Sequence, residues 1–341
     1  MKASFVMNGY LNNAFFDIES PIINQDNRAY PYYHLKLLFQ KYGIDLSSKD
    51  INPPHESDIV IYYNMPKVPR MMPLKADKHK SFLLCQEPPM VHPWNEGFGD
   101  HEYFSKIFTW DDSWVDNQTY FKCHLAVHPP ENRDSGPFER PKFCTTVVGN
   151  KTSNHPLELY SKRLDIMQWF ERHHPREFEF YGTGWEPLSL SHKPVSVLWN
   201  HFIFKKPLLK SYQGRLHSKN DVLKNYRFAI CFENGQYLPG YITEKIFDCF
   251  FAGCIPIYWG APNITAYIPK TCFIDFRAFK NYADLYEYLV EMDEDTYLSY
   301  RQHIEQFLAS DGLQPFLSES FAKAIVHPIC NQYNVSVTAV S

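Results

Sequence analysis

No stretch of this chain approaches 18 consecutive apolar residues, which rules out a helix crossing a bilayer on its own. No block of Lys and Arg stands out, and the net charge is −4 at pH 7, so a nucleic-acid surface is not expected. The opening residues, MKASFVMNGYLNNAFFD, carry one Lys and only a brief apolar run before Asn8, unlike a secretory leader. The closing residues, HPICNQYNVSVTAVS, form no basic amphipathic helix, so any membrane contact is at most peripheral. There is no C-x-x-C pair. Cysteines 85, 123, 144, 231, 249, 254, 272 and 330 sit mostly inside apolar runs and read as buried free thiols of a reducing compartment. The expected location is therefore the cytoplasm, where the sequons at Asn117, Asn150, Asn263 and Asn334 meet no glycosylation machinery.

What is present is a globular composition. Apolar residues make up 44% of the chain, too many for disorder, and 341 residues allow two domains of ordinary size. Short apolar runs at Ala3–Met7, Asp58–Tyr63, Ser81–Cys85 and Lys106–Thr109 read as strands, with a helix over Tyr32–Tyr42. Strands alternating with helical stretches predict a parallel α/β sheet. The polar, Pro-rich AVHPPENRDSGPFERP (126–141) reads as a linker, and Phe143–Val148 opens a second α/β unit. The expected domains are 1–135 and 136–325, with 326–341 as a tail. A helical region is expected near Asp284–Phe307.

The most informative segment runs from Phe228 to Pro262, FAICFENGQYLPGYITEKIFDCFFAGCIPIYWGAP. An apolar strand (Phe228–Phe232), a loop, an amphipathic segment from Thr243 and a second apolar strand (Ile255–Trp259) spell a parallel βαβ unit. Thr243 suits a helix N-cap and Glu244 a first turn. Lys245 opposes the helix dipole there, by a few tenths of a kcal/mol up to about 1. A bound anion at the helix N-terminus would justify it; an ordinary surface lysine is the alternative.

A second cluster follows the strand ending at Val148, in VVGNKTSNHPLELYSKRLDIMQWF. Asn154 can cap a helix with Pro156 in its first turn. At helical spacing Leu159, Ile166 and Phe170 share a face with Arg163. A cation among apolar neighbours needs a partner. That partner is either an acid such as Glu158 or a phosphate, for which a guanidinium is well shaped. In the first half, Ser81–Cys85 leads into Gln86-Glu87-Pro88-Pro89, which puts a carboxylate at a strand's carboxyl end beside two rigid residues.

FEN, the Gly-containing loop and YITEKIFD…AGCIPIYWGAP together closely resemble the donor-binding signature of the α1,3/4-fucosyltransferases, inverting enzymes that use GDP-fucose. The resemblance implies a GT-B fold, two Rossmann-like domains facing across a cleft, with the acceptor on the N-terminal side. It implies that Arg163 and Lys245 hold the diphosphate, that Glu244 bonds sugar hydroxyls, and that Tyr241 lines the sugar-nucleotide pocket. Asn150 and Asn234 are further expected donor contacts. Glu87 would be the general base, although the flanking residues of QEPP depart from the commoner family pattern. His92 is a candidate acceptor-site residue, and the other histidines read as structural. Metal-dependent glycosyltransferases usually show Asp-x-Asp; the acid cluster considered for that role, Asp111, Asp112 and Asp116, reads as cap or turn residues, so no metal or other cofactor is expected.

The expected partners are thus GDP-fucose and an oligosaccharide acceptor, which receives the fucose at O3 of N-acetylglucosamine. Another GDP-sugar or acceptor, or a non-catalytic sugar-nucleotide or glycan binder, stays open at this stage. Animal members of the family are Golgi proteins with an N-terminal anchor, so a Golgi location applies if an anchor has been removed.

Overall fold

Eleven strands form two separate parallel sheets in a computed structural model that describes residues 1–131, 133, 139–186 and 209–337. The first sheet contains β1 (Lys2–Val6), β2 (Asp45–Ser48), β3 (Ile59–Tyr63), β4 (Ser81–Cys85), β5 (Lys106–Thr109) and β6 (Tyr120–Lys122), in the order β2-β1-β3-β4-β5-β6. The second contains β7 (Lys142–Val147), β8 (Phe178–Tyr181), β9 (Tyr226–Phe232), β10 (Ile255–Trp259) and β11 (Ile274–Asp275), in the order β11-β10-β9-β7-β8. Apolar runs such as Ser81–Cys85 are buried along their whole length, as strands covered on both faces must be.

The order in which strands are added reverses between β1 and β3 in the first sheet and between β7 and β9 in the second. Such switch points open a crevice at the carboxyl ends of the strands.

The helices are α1 (Tyr30–Lys41), α2 (Tyr160–His173), α3 (Lys219–Leu223), α4 (Glu244–Phe251), α5 (Tyr282–Glu291), α6 (Glu294–Leu308) and α7 (Ser318–Gln332). The single helical region expected near 284–307 is two helices. The break falls where the Asp293 carboxylate accepts the Thr296 amide at 2.8 Å and caps α6.

Helix α2 begins at Tyr160, six residues beyond the cap expected at Asn154; Leu159 stands at its N-cap. Asn154 and Pro156 belong to the preceding loop, whose Glu158 carboxylate accepts the Ser161 amide at 2.9 Å.

The expected boundary between 135 and 136 lies outside the described residues. The expected boundary at 325 cuts through α7. That helix leaves the second unit and returns to the first, where Phe321, Ile325 and Ile329 join the core with Leu35 and Phe39 of α1. All eight cysteines are free and buried. Among the described residues no helix is long and apolar enough to cross a membrane, and no cluster of three or more His, Cys, Asp or Glu could hold a metal ion.

Candidate functional site

A cleft of about 530 Å³ separates the two sheets at the carboxyl ends of their strands. Six of the eight expected site residues line it: Glu87 from the first unit, and Arg163, Asn234, Tyr241, Glu244 and Lys245 from the second.

Helix α4 starts where the sequence placed it. The Thr243 hydroxyl caps the helix by accepting the Lys245 amide, and this turns the Lys245 side chain back over the helix start. Its Nζ donates to Glu233 Oε2 at 3.1 Å and to Thr243 Oγ1 at 2.9 Å, and lies 3.7 Å from Glu244 Oε1. Burial works against the ammonium, yet the Glu233 and Glu244 carboxylates outweigh it and raise its pKa. Burial likewise opposes the Glu244 carboxylate, but the Lys245 and Lys219 cations hold it well below the usual range.

Arg163 is buried on the inward face of α2 with Leu159, Ile166 and Phe170, as the helical spacing predicts. Its partner is not Glu158. The guanidinium donates to the Phe232 carbonyl through Nε (3.0 Å) and Nη2 (2.7 Å), and through Nη2 to Asn234 Oδ1 (3.0 Å). Asn234 Nδ2 donates in turn to the Tyr241 hydroxyl at 3.0 Å, and its carbonyl accepts the Leu159 amide at 2.9 Å. One chain of hydrogen bonds thus fixes the guanidinium, the amide and the phenol at the β7/β9 switch point. Buried Arg163 and partly buried Lys245 put two cations beside a helix N-terminus, an arrangement suited to a diphosphate.

Glu87 faces them from the end of β4. The Asn64 side chain accepts the amides of Gln86 (2.8 Å) and Glu87 (3.0 Å), and Asn95 Nδ2 donates to the Glu87 carbonyl at 2.8 Å. The turn is therefore rigid, and the carboxylate has no hydrogen-bond partner among the described residues. Burial raises its pKa, with Glu244 adding to the shift and Lys151 and Lys245 opposing it. A carboxylate held above its ordinary range is a stronger proton acceptor.

Two expected residues lie elsewhere. His92 does not line the cleft; it is buried, with Nε2 bonded to the Met65 carbonyl at 2.7 Å, and helps hold the segment behind Glu87. Asn150 is also outside the lining, its Nδ2 donating to the Gly184 carbonyl at 3.0 Å, while its neighbours Gly149 and Lys151 do face the cleft.

Several participants were not anticipated. Glu233 is fully buried and accepts from the Thr243 amide and hydroxyl, each at 2.8 Å, as well as from Lys245. Its signal was available, since an acid closing the buried run Phe228–Phe232 demands partners. Lys219, 2.7 Å from Asp248, gave no such signal, and nor did Gln86, Tyr63 or Lys151.

Two Rossmann-like parallel-sheet units opposed across a cleft are the arrangement of the GT-B fold. Solved structures agree: an α1,3-fucosyltransferase with GDP-fucose superposes with a TM-score of 0.57 at 17% identity, covering 96% of this chain and 90% of that one. WaaG, a glycosyltransferase of lipopolysaccharide biosynthesis, gives 0.54 at 8% identity, with coverage of 95% and 99%. Residues 208–333 match the model of the family described as glycosyltransferase family 10 (fucosyltransferase) C-terminal.

Among curated relatives, α-(1,3)-fucosyltransferase FucT of Helicobacter pylori is 42% identical over 72 residues, 21% of this chain and 15% of that protein. The 4-galactosyl-N-acetylglucosaminide 3-α-L-fucosyltransferase 9 of Mus musculus is 38% identical over 78 residues, 22% of this chain and 21% of that protein. The matched stretches therefore span well under a third of these relatives' lengths.

Proposed function

We propose that this protein is an inverting α1,3-fucosyltransferase, moving L-fucose from GDP-fucose to O3 of an N-acetylglucosamine in an oligosaccharide. The observation that carries the reading is one carboxylate of raised pKa, Glu87, facing two fixed cations, Arg163 and Lys245, across a single cleft. In this reading the acceptor hydroxyl gives its proton to Glu87 as its oxygen bonds to the anomeric carbon. The bond from that carbon to the phosphate oxygen breaks on the opposite face, and its electron pair leaves with GDP. Charge grows on the diphosphate as the bond lengthens, so cations fixed beforehand favour the transition state over the ground state. The cations supply the charge stabilisation that a metal would otherwise give, so no metal is required. Glu244 takes sugar hydroxyls, and Tyr241 and Asn234 shape the pocket around them.

The names of the relatives support the donor and the acceptor: the H. pylori protein is an α-(1,3)-fucosyltransferase, and the mouse protein's name specifies an N-acetylglucosaminide. We assign acceptor binding to the first unit together with α7, and donor binding to the second unit up to that helix. Eight free thiols fit a reducing, cytoplasmic setting, in which any membrane contact is peripheral.

The test is GDP release from GDP-fucose with a panel of glycan acceptors, with and without a chelator. Acceptor-dependent release that survives chelation supports the reading. Binding of GDP-fucose without release on any acceptor points to a binding protein, and failure to bind it points to another donor.

A further inference from the structure

A polar cluster outside the cleft joins the two units at the loop that carries Tyr241. Asp112, just beyond β5, is its centre. Its carboxylate accepts from Lys122 of its own unit and from two groups of the other, Asn263 Nδ2 at 2.7 Å and the Tyr267 hydroxyl at 2.6 Å. Its backbone amide donates to the Pro239 carbonyl at 3.1 Å, and Asn263 Oδ1 accepts the Gly240 amide at 2.9 Å. Lys122 is tied to the Trp110 carbonyl at 2.6 Å, and the Trp110 ring lies 4.7 Å from the Tyr241 ring.

The approach at Gly240 is too close for any side chain. A Cβ there would stand 2.4 Å from the Trp110 carbonyl oxygen and 2.8 Å from Asp112 Oδ2, and its φ of +80° is one that glycine accepts without strain. The donor loop is therefore pressed against the first unit and bonded at both of its last two residues before Tyr241.

We propose that Asp112 is a positioning residue for donor binding: it clamps the Pro239–Gly240 turn across the domain interface, so that the first unit holds Tyr241, and through it Asn234 and Arg163, in their binding geometry. The two bonds at Pro239 and Gly240 reach Tyr241 directly. From Tyr241 the hydroxyl accepts from Asn234, whose Oδ1 accepts from Arg163. An asparagine at position 112 cannot replace the carboxylate, because its amide NH₂ would face either Asn263 Nδ2 or the Lys122 and Tyr267 donors. The clamp rests on the proposed donor reading for its functional meaning but not for its geometry, and the two can be tested apart.

The experiment is Asp112→Asn, with Tyr267→Phe as a milder variant should the first fold poorly. It has two readouts. Hydrogen exchange on the ligand-free protein should show amide protection lost over residues 236–241, with protection of β4 and β9 unchanged. GDP titration and kinetics on the folded protein should show GDP affinity and donor KM weakened about tenfold, with acceptor KM unchanged, and Tyr267→Phe should fall between. Unchanged protection and unchanged donor affinity in both variants overturn the clamp. So does a loss of kcat with both KM values intact, which is the mark of a smaller active fraction. If wild type itself binds no GDP, the donor reading fails, and the exchange result alone decides the clamp.

Discussion

Lys245 Nζ sits 3.1 Å from the fully buried carboxylate of Glu233, so the cation expected to hold the donor already has an anchor beneath it. This relationship explains why a lysine stands in the first turn of α4 against the helix dipole. The buried acid pulls the ammonium under the helix start, and an N–H not used by Glu233 or Thr243 is left for a ligand. Lys245→Ala should therefore weaken two things. GDP affinity should drop by about 1.5–3 kcal/mol, the value of a hydrogen bond to a charged group. Stability should drop by about 3–5 kcal/mol, because Glu233 is left as an unpaired buried charge. Calorimetric titration and urea unfolding check the two separately; an unchanged GDP affinity would remove Lys245 from the phosphate site.

Glu87 touches none of the donor-side cations through a hydrogen bond, and its own backbone is held by Asn64 and Asn95. Replacing its carboxylate should leave the donor pocket intact. Glu87→Gln is expected to lower turnover by about 10²–10⁴-fold, the usual range for a general base, with GDP binding within a factor of about two. Near-normal turnover in this variant would mean that another group takes the proton.

The pH profile offers a second view of the same residue. The base works unprotonated, so activity should fall with decreasing pH as Glu87 gains its proton. Burial has raised its pKa, so that fall should begin above the ordinary carboxylate range. Lys151 lines the same cleft and opposes the shift. Lys151→Met should consequently move the acid limb of kcat/KM further up in pH. A limb that stays in place would show that Lys151 is too well screened by solvent to matter.

Gly182 offers a purely steric test at the other end of the cleft. Its φ is +144°, and a Cβ there would meet the Val148 carbonyl oxygen at 1.9 Å. That atom is backbone and cannot swing aside. Gly182→Ala should cost several kcal/mol, in the range of the larger single-residue effects, and separate the ends of β7 and β8. A melting temperature within a degree or two of wild type would contradict it.

Much of this arrangement was legible in the sequence, for identifiable reasons. The strands of continuous apolar residues, Ser81–Cys85 and Ile255–Trp259, matched their observed bounds because burial on both faces leaves no polar alternation to misread. Arg163 was legible because a cation at helical spacing from Leu159, Ile166 and Phe170 stands out. Its partners were not, since the Phe232 carbonyl and Asn234 are some 70 residues away along the chain. The start of α2 was misplaced because Asn-x-Pro resembles a cap, while the actual start is set by the bond from the Leu159 amide to Asn234. His92 and Asn150 were placed near the right segments but point into scaffolding. Sequence proximity to a site says nothing about which way a side chain turns. Short strands such as β2, β6 and β11, of two to four residues, carry too little pattern to be seen.

The interface between the units should also make stability depend on pH. His124 lies beside Phe316 and Tyr267, its ring centroid 4.6 and 5.2 Å from theirs, and its Nδ1 is buried with no hydrogen-bond partner among the described residues. Burial, aided by the Lys122 cation, pushes its pKa down from 6.5 to about 3. The unfolded chain therefore binds a proton near pH 6.5 that the folded chain refuses until about pH 3. Stability is full above pH 6.5 and falls as pH drops toward 3, by up to about 1.4 kcal/mol per pH unit from this residue. His92, His101 and His128 are depressed as well and add slope of the same sign. The comparison that isolates His124 is urea unfolding of wild type and His124→Gln at about pH 5 and about pH 7.5. The variant should lose roughly 1–2 kcal/mol less than wild type between the two conditions. Equal losses would mean that the ring takes up its proton in the folded protein, and that the packing around it is looser than its contacts with Phe316 and Tyr267 indicate.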